Sequence, residues 1–119
     1  MRTGRKISGG RYIKSRKKKM YELAGQGRKV ALGTEKKKTS GVMGGNKKTF
    51  LLRANMINVK IGNKIQKIEI KNVLETPSNR FLARQNILSK GTIVQTDKGK
   101  VRITNRPSQE GMINGILVE

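Results

Sequence analysis

Beyond Lys48 the chain reads as short apolar runs cut by turn residues. Residues 50–54 (FLLRA) and 56–61 (MINVKI) are two such runs, and Gly62-Asn63 separates the second from 64–73, where Ile68 and Ile70 alternate with Lys67, Glu69 and Lys71. Period-two alternation puts one set of side chains on each face of a strand, so this stretch predicts a hairpin with Glu69 facing water. Residues 75–79 (ETPSN) break the sheet, and Ser78 or Asn79 can cap a short helix over 80–84 whose two arginines share a face. Ile93-Val94 and residues 101–103 flank Asp97-Lys98-Gly99, a compact turn in which glycine is free to take positive φ. Arg102 is predicted to point away from Val101 and Ile103. A last turn over 106–111 (RPSQEG) leads to an apolar strand at 112–118. Of the 27 apolar residues in 49–119, 15 are isoleucine or valine, the residues that favour strands. Five or six short strands with turns about every eight to twelve residues predict an all-β fold, a small closed or partly closed β-barrel.

Before Lys48 the pattern dissolves. Only 13 of 48 residues are apolar there. Residues 14–24 place Met20, Leu23 and Ala24 at helical spacing with Gly25 as a stop, which supports a short helix or none. Gly25, Gly27 and Gly33 interrupt 26–38, which reads as a second basic loop carrying Arg28 and the run Lys36, Lys37, Lys38. Charge sharpens the division. Residues 1–48 hold 16 basic and 2 acidic side chains, net +14, whereas 49–119 hold 12 and 5, net +7. Residues 5–19 alone carry eight cations and no acid around Gly9-Gly10. Such a segment repels itself and has too few apolar groups to offset the entropy of ordering. The expectation is a basic RNA-binding extension over 1–48, disordered when free, and a β-barrel domain over 49–119. A solvated tail is the ordinary reading of a charge run, but the charge excess here pervades the chain.

With 28 basic and 7 acidic residues the net charge is +21, which calls for an acidic partner, nucleic acid or an anionic membrane. No apolar run approaches the length that spans a bilayer, and Met1-Arg2 leads into cations without the apolar segment of a signal peptide; a cytoplasmic protein with no membrane partner is expected. Cysteine and histidine are both lacking, which removes disulfides, thiolate metal sites and the commonest general base. Residues 41–49 (GVMGGNKKT) superficially resemble a nucleotide-binding loop. Asn46 stands where its second glycine is required, Lys48 where its hydroxyl is required, and no apolar strand leads in. The same Gly44, Gly45, Asn46, Lys47 and Lys48 suit RNA, with backbone amides freed by the glycines beside two cations. Among the acids, Glu69 faces outward, Asp97 serves a turn and Glu110 a loop, so no acid pair stands out. No enzyme, catalytic residue, metal, cofactor or small-molecule substrate is expected.

GRKISGGR at the start followed by YIKSRKKK, GGNKK at 44–48 continuing into LLRAN, and the closing TNRPSQEGMINGILVE resemble the eight-e family of small-subunit ribosomal proteins, of archaeal and eukaryotic type. The compact length resembles the archaeal form. The resemblance implies a β-barrel with a basic N-terminal extension, ribosomal RNA and neighbouring ribosomal proteins as partners, and no catalysis. On that reading Arg2, Arg5, Lys6, Arg11, Arg16, Lys17, Lys18 and Lys19 contact phosphates, with Gly9 and Gly10 letting the backbone lie close. Arg28 and Lys36–38 add to the extension, and Arg80, Arg84, Arg102 and Arg106 carry the footprint across the barrel. With two Phe, two Tyr and no Trp there is no stacking platform for splayed bases, so recognition rests on the shape of folded RNA. Tyr12 and Tyr21 can stack on a base or serve packing. A transient RNA-binding translation factor and an architectural nucleic-acid-binding protein remain as alternatives.

Overall fold

The computed structural model describes residues 4–13 and 15–118. The strand pattern after Lys48 is realised as expected. β4 (Met56–Ile61) and β5 (Lys64–Glu75) form the hairpin around Gly62-Asn63, in register from Met56 opposite Glu69 to Ile61 opposite Lys64. Gly62 supplies the positive φ of 58° that the two-residue turn needs. β7 (Ile93–Thr96) and β8 (Gly99–Ile103) make the second hairpin, and β9 (Asn114–Leu117) runs antiparallel to β8. β9 also pairs in parallel with β4, Asn58 opposite Asn114 and Lys60 opposite Ile116, which closes a five-stranded barrel in the order β4-β5-β7-β8-β9.

Alternation then sorts the side chains. Ile57, Val59, Ile68, Ile70, Val94, Val101 and Ile103 fill the interior, while Glu69 and Arg102 face solvent. Gly115 of β9 lies where a Cβ would come 2.5 Å from Val101 Cγ1 and 2.9 Å from Ile57 Cδ1, so the barrel wall there has no room for a side chain.

Against the barrel packs a four-stranded sheet in the order β2-β3-β1-β6, built from β1 (Val30–Leu32), β2 (Lys36–Gly41), β3 (Lys47–Ala54) and β6 (Ile87–Leu88). Val30, Leu51, Ala54 and Leu88 join the barrel residues in one apolar core. This sheet departs from the expectation in two ways. The stretch 26–38, expected as a basic loop, contains all of β1 and the start of β2, and beside the five strands of the barrel, within the expected five or six, stand four more in a sheet of their own. β-structure therefore begins at Val30, well before the change of composition at Lys48, and the sheet draws on both sides of that point. β2 is polar throughout; its strand conformation is imposed by pairing with β3, Lys38 opposite Phe50 and Thr39 opposite Thr49. The glycine pair Gly44-Gly45, both at positive φ, turns the chain between β2 and β3, with the Val42 amide donating to the Asn46 carbonyl at 2.8 Å.

The short helix α1 (Arg80–Arg84) forms as expected, capped by Asn79, whose side chain accepts from the Phe81 amide at 2.9 Å. It bridges β5 and β6. Of the stretch 14–24, the described residues 15–24 form a single 3₁₀ turn at Met20–Glu22 and no α-helix. The radius of gyration is 21.2 Å, against roughly 14 Å for a compact chain of this length, because the N-terminal segment projects from the body.

Candidate nucleic-acid interface

Every described residue from 4 to 29 is exposed, so the arm offers its whole surface to a partner. Its first part is ordered by local bonds. The Gly9 amide donates to the Lys6 carbonyl at 2.9 Å and the Lys6 amide to the Gly10 carbonyl at 2.8 Å, while Arg5 and Arg11 face each other as an antiparallel bridge. Gly9 has a φ of 78°, which is why glycine stands there. Arg5 Nη1 donates to the Gly9 carbonyl at 3.0 Å. The turn thus gathers Arg5, Lys6, Gly9, Gly10 and Arg11 into one small basic finger with Ile7 fully exposed at its tip. Arg2 lies outside the described residues, as does Lys14.

Further along, Arg16 is already engaged. Its guanidinium grips Glu22 with two bonds, Nη1 to Oε2 at 2.9 Å and Nη2 to Oε1 at 2.5 Å, and the Lys19 amide adds a third to the same carboxylate at 3.1 Å. The Arg16 guanidinium and then the Lys19 amide hold the Glu22 carboxyl below the usual carboxylate range, and Glu22 in turn raises Arg16. This clasp escaped sequence reasoning, although Glu22 is the sole acid of residues 1–34. Tyr12 and Tyr21 do not pack in the core: they are 53% and 77% exposed, with Lys6 and Lys19 ammonium groups 5.7 and 5.9 Å from their rings.

On the body the basic residues divide into separate patches. Lys36, Lys37 and Lys38 lie on β2, the outer strand of the sheet, where Lys37 pairs with Glu35 and holds that carboxyl low. The turn with Gly44, Gly45 and Asn46 ends the same hairpin, and Lys47 and Lys48 begin β3, Lys48 Nζ donating to Gln109 Oε1 at 3.4 Å. Arg80 and Arg84 share a groove with Asn72 and Asn86 between α1 and β5. Arg102 stands exposed between the buried Val101 and Ile103. Arg28 and Arg106, 78 positions apart (106 − 28), line one groove together with Lys29 and Lys90. Sequence reasoning did not single out Lys29 or Lys90, since only the fold brings the start of β1 against the ends of β6 and β8.

Among the described residues, ion pairs occupy only Arg16, Lys37 and Lys71, the last with Asp97 at 2.5 Å. The other cations have no carboxylate partner among those residues. No group of three His, Cys, Asp or Glu among them could hold a metal ion, and no described helix is long and apolar enough to cross a membrane. The arrangement is a cation array on a rigid body with a projecting basic finger, suited to phosphate.

The model of the family "Ribosomal protein S8e" matches residues 1–118, arm and body together. The chain belongs to the S8e family of ribosomal proteins. It is 42% identical over 117 residues to the small ribosomal subunit protein eS8 of Methanocorpusculum labreanum, covering 97% of this chain and 94% of that one. The eS8 proteins of Staphylothermus marinus (45% over 118 residues, 97% and 92% covered) and Nanoarchaeum equitans (42% over 120 residues, 99% and 94% covered) are similar throughout as well. S8e proteins are components of the small ribosomal subunit rather than enzymes, and the all-β barrel with its basic extension is the form this member of the family takes.

Proposed function

We propose that this S8e protein binds folded ribosomal RNA and stabilises it, as a structural constituent of the cytoplasmic small subunit lying among neighbouring ribosomal proteins. The single observation that carries this reading is the projecting arm: a finger of Arg5, Lys6 and Arg11 followed by Lys17, Lys18 and Lys19, all exposed, beside a body that adds Arg80 and Arg84 on α1, Arg102 on β8 and Arg106 in the loop after β8. Phosphate contacts from the arm position the protein without reading sequence. The body, which holds Arg80 and Arg84 on a capped helix and Arg102 on a strand, supplies recognition of shape. A glycine-turned arm that gains its remaining contacts only on the target suits permanent residence better than repeated exchange.

The test is sedimentation. The native protein is expected to remain with small subunits through a high-salt wash that strips transient factors. Release into the supernatant at moderate salt would favour a transient translation factor, and retention on DNA with none on subunits would favour an architectural role.

A further inference from the structure

Three segments distant in sequence meet at the root of the arm. Residues 27–30, leading into β1, face residues 106–108 after β8, and residues 87–90 of β6 and the following turn form the third wall, with Leu82 of α1 beside them. The lining of the groove between them divides by chemistry. Val30, Leu82, Leu88 and Pro107 make an apolar floor. Arg28, Lys29, Lys90 and Arg106 stand on the rim, all exposed, and no carboxylate lines the groove. The Ser89 hydroxyl is bonded to Thr92 at 3.0 Å, and Ser108 adds a second side-chain hydroxyl to the lining that can meet a ligand's edge.

A duplex has no use for the floor, since its bases are stacked inside and its phosphates need cations alone. A protein side chain would use the floor but would have to bring carboxylates for the rim. A nucleotide with its base turned out of the helix uses both, because the flat base carries its own phosphates on either side. Resting on the RNA-binding reading above, we infer that this groove takes one unstacked nucleotide of the RNA, the base on the apolar floor and the flanking phosphates on Arg28, Lys29, Lys90 and Arg106. The protein then holds one defined point of the RNA as well as its general shape. The body thereby compensates for its lack of aromatic stacking residues.

Two RNA hairpins of equal length test this with the full chain at physiological ionic strength, one fully paired and one carrying a single bulged 2-aminopurine. The bulged hairpin is expected to bind about tenfold tighter or more, with a change in 2-aminopurine fluorescence as the base enters the groove. Ser108→Trp fills the groove and alters no charge; it should bring the bulged hairpin to the level of the paired one and leave the paired one unchanged. Lys90→Glu, at an exposed rim position, should reduce the same preference and covers the case in which the tryptophan variant fails to fold. Equal binding of the two hairpins by the unaltered protein, or a preference that survives both substitutions, overturns the groove assignment while RNA binding stands. If Ser108→Trp instead weakens a short poly-glutamate peptide and neither RNA, the groove is a protein site. Failure to bind either hairpin or small-subunit rRNA removes the RNA reading itself.

Discussion

The guanidinium of Arg28 lies 3.7 Å from the centre of the Phe50 ring, and this contact ties the root of the basic arm to the folded sheet. Phe50 is left only 4% exposed although it sits mid-way along β3, opposite Lys38 of the polar strand β2. A planar cation laid on an aromatic face is attracted by the ring quadrupole and covers apolar surface at the same time.

Arg28→Ala should therefore uncover Phe50 and lower stability by about 1 kcal/mol, which lowers the melting temperature by a few degrees. Arg28→Lys should recover little of it, because an ammonium has no plane to stack. Thermal unfolding of the three proteins checks this, and an unchanged transition in the alanine variant would show that the contact contributes nothing.

Gly115→Ala should be more damaging. The added methyl group would press on Val101 and Ile57 side chains and lie 3.0 Å from the Arg102 carbonyl, an atom of the barrel backbone that cannot swing aside. Overpacking of this kind costs about 1–3 kcal/mol in a closed core. Gly111→Ala, which meets Thr49 Cγ2 at 3.2 Å near the surface, should cost less. Denaturant midpoints for the two variants give the order, and equal midpoints would contradict it.

Amide exchange of the free protein should show protection beginning at Val30, whose strand pairs with both β3 and β6, and little between residues 4 and 29. Protection that began only after Lys48 would mean that β1 and β2 form on RNA rather than before it. Strong protection throughout the arm would mean that it packs on the body by itself.

Changing Arg16, Lys17, Lys18 and Lys19 to alanine should weaken binding to ribosomal and unrelated RNA alike and lower the slope of log affinity against log salt by roughly 3 units if all four meet phosphate. Glu22 competes for Arg16, taking two of its five N–H donors and offsetting its charge. Glu22→Gln should accordingly raise RNA affinity and steepen the salt dependence, read by filter binding across a salt series. Because Arg16 depresses the folded-state pKa of Glu22, the clasp's contribution is present above the ordinary glutamate range and is lost as pH falls through the lowered value. Between pH 6 and 8 the arm's affinity should therefore show no step attributable to Glu22, and a step there would contradict the clasp. Arg102→Ala, by contrast, should weaken cognate rRNA more than a random duplex, and equal loss on both would remove the barrel from the shape-reading surface.

The barrel was legible because Ile68 and Ile70, like Val101 and Ile103, alternate with polar neighbours, and because the apolar run 56–61 and the pair Ile93-Val94 stand beside turn residues, signals that survive without any tertiary information. The sheet was not. Its β1 is three residues, Val30–Leu32, embedded among glycines and cations, and β6 is two. Strands that short carry no periodicity, and β2 carries no apolar residue at all, so only long-range pairing reveals them. Averaging charge over residues 1–48 concealed the same fact. The candidate interface divides likewise: the cations and glycines of residues 5–11 were readable from local residue types, while the meeting of Arg28, Lys29, Lys90 and Arg106 depends on three loops that the fold alone brings together.

The parallel pairing of β9 with β4 has a consequence for synthesis. Asn58 waits for Asn114, made 56 residues later (114 − 58), and at roughly 5–20 residues per second that interval is about 3 to 11 seconds. Throughout it β4 exposes an unpaired edge, and the nascent chain holds an open curved sheet that cannot close from its own early residues. The arm emerges first and needs no such partner. On the RNA-binding function proposed above, a transcript within reach would capture its cations before the body exists, and folding of the barrel would be completed on RNA already held.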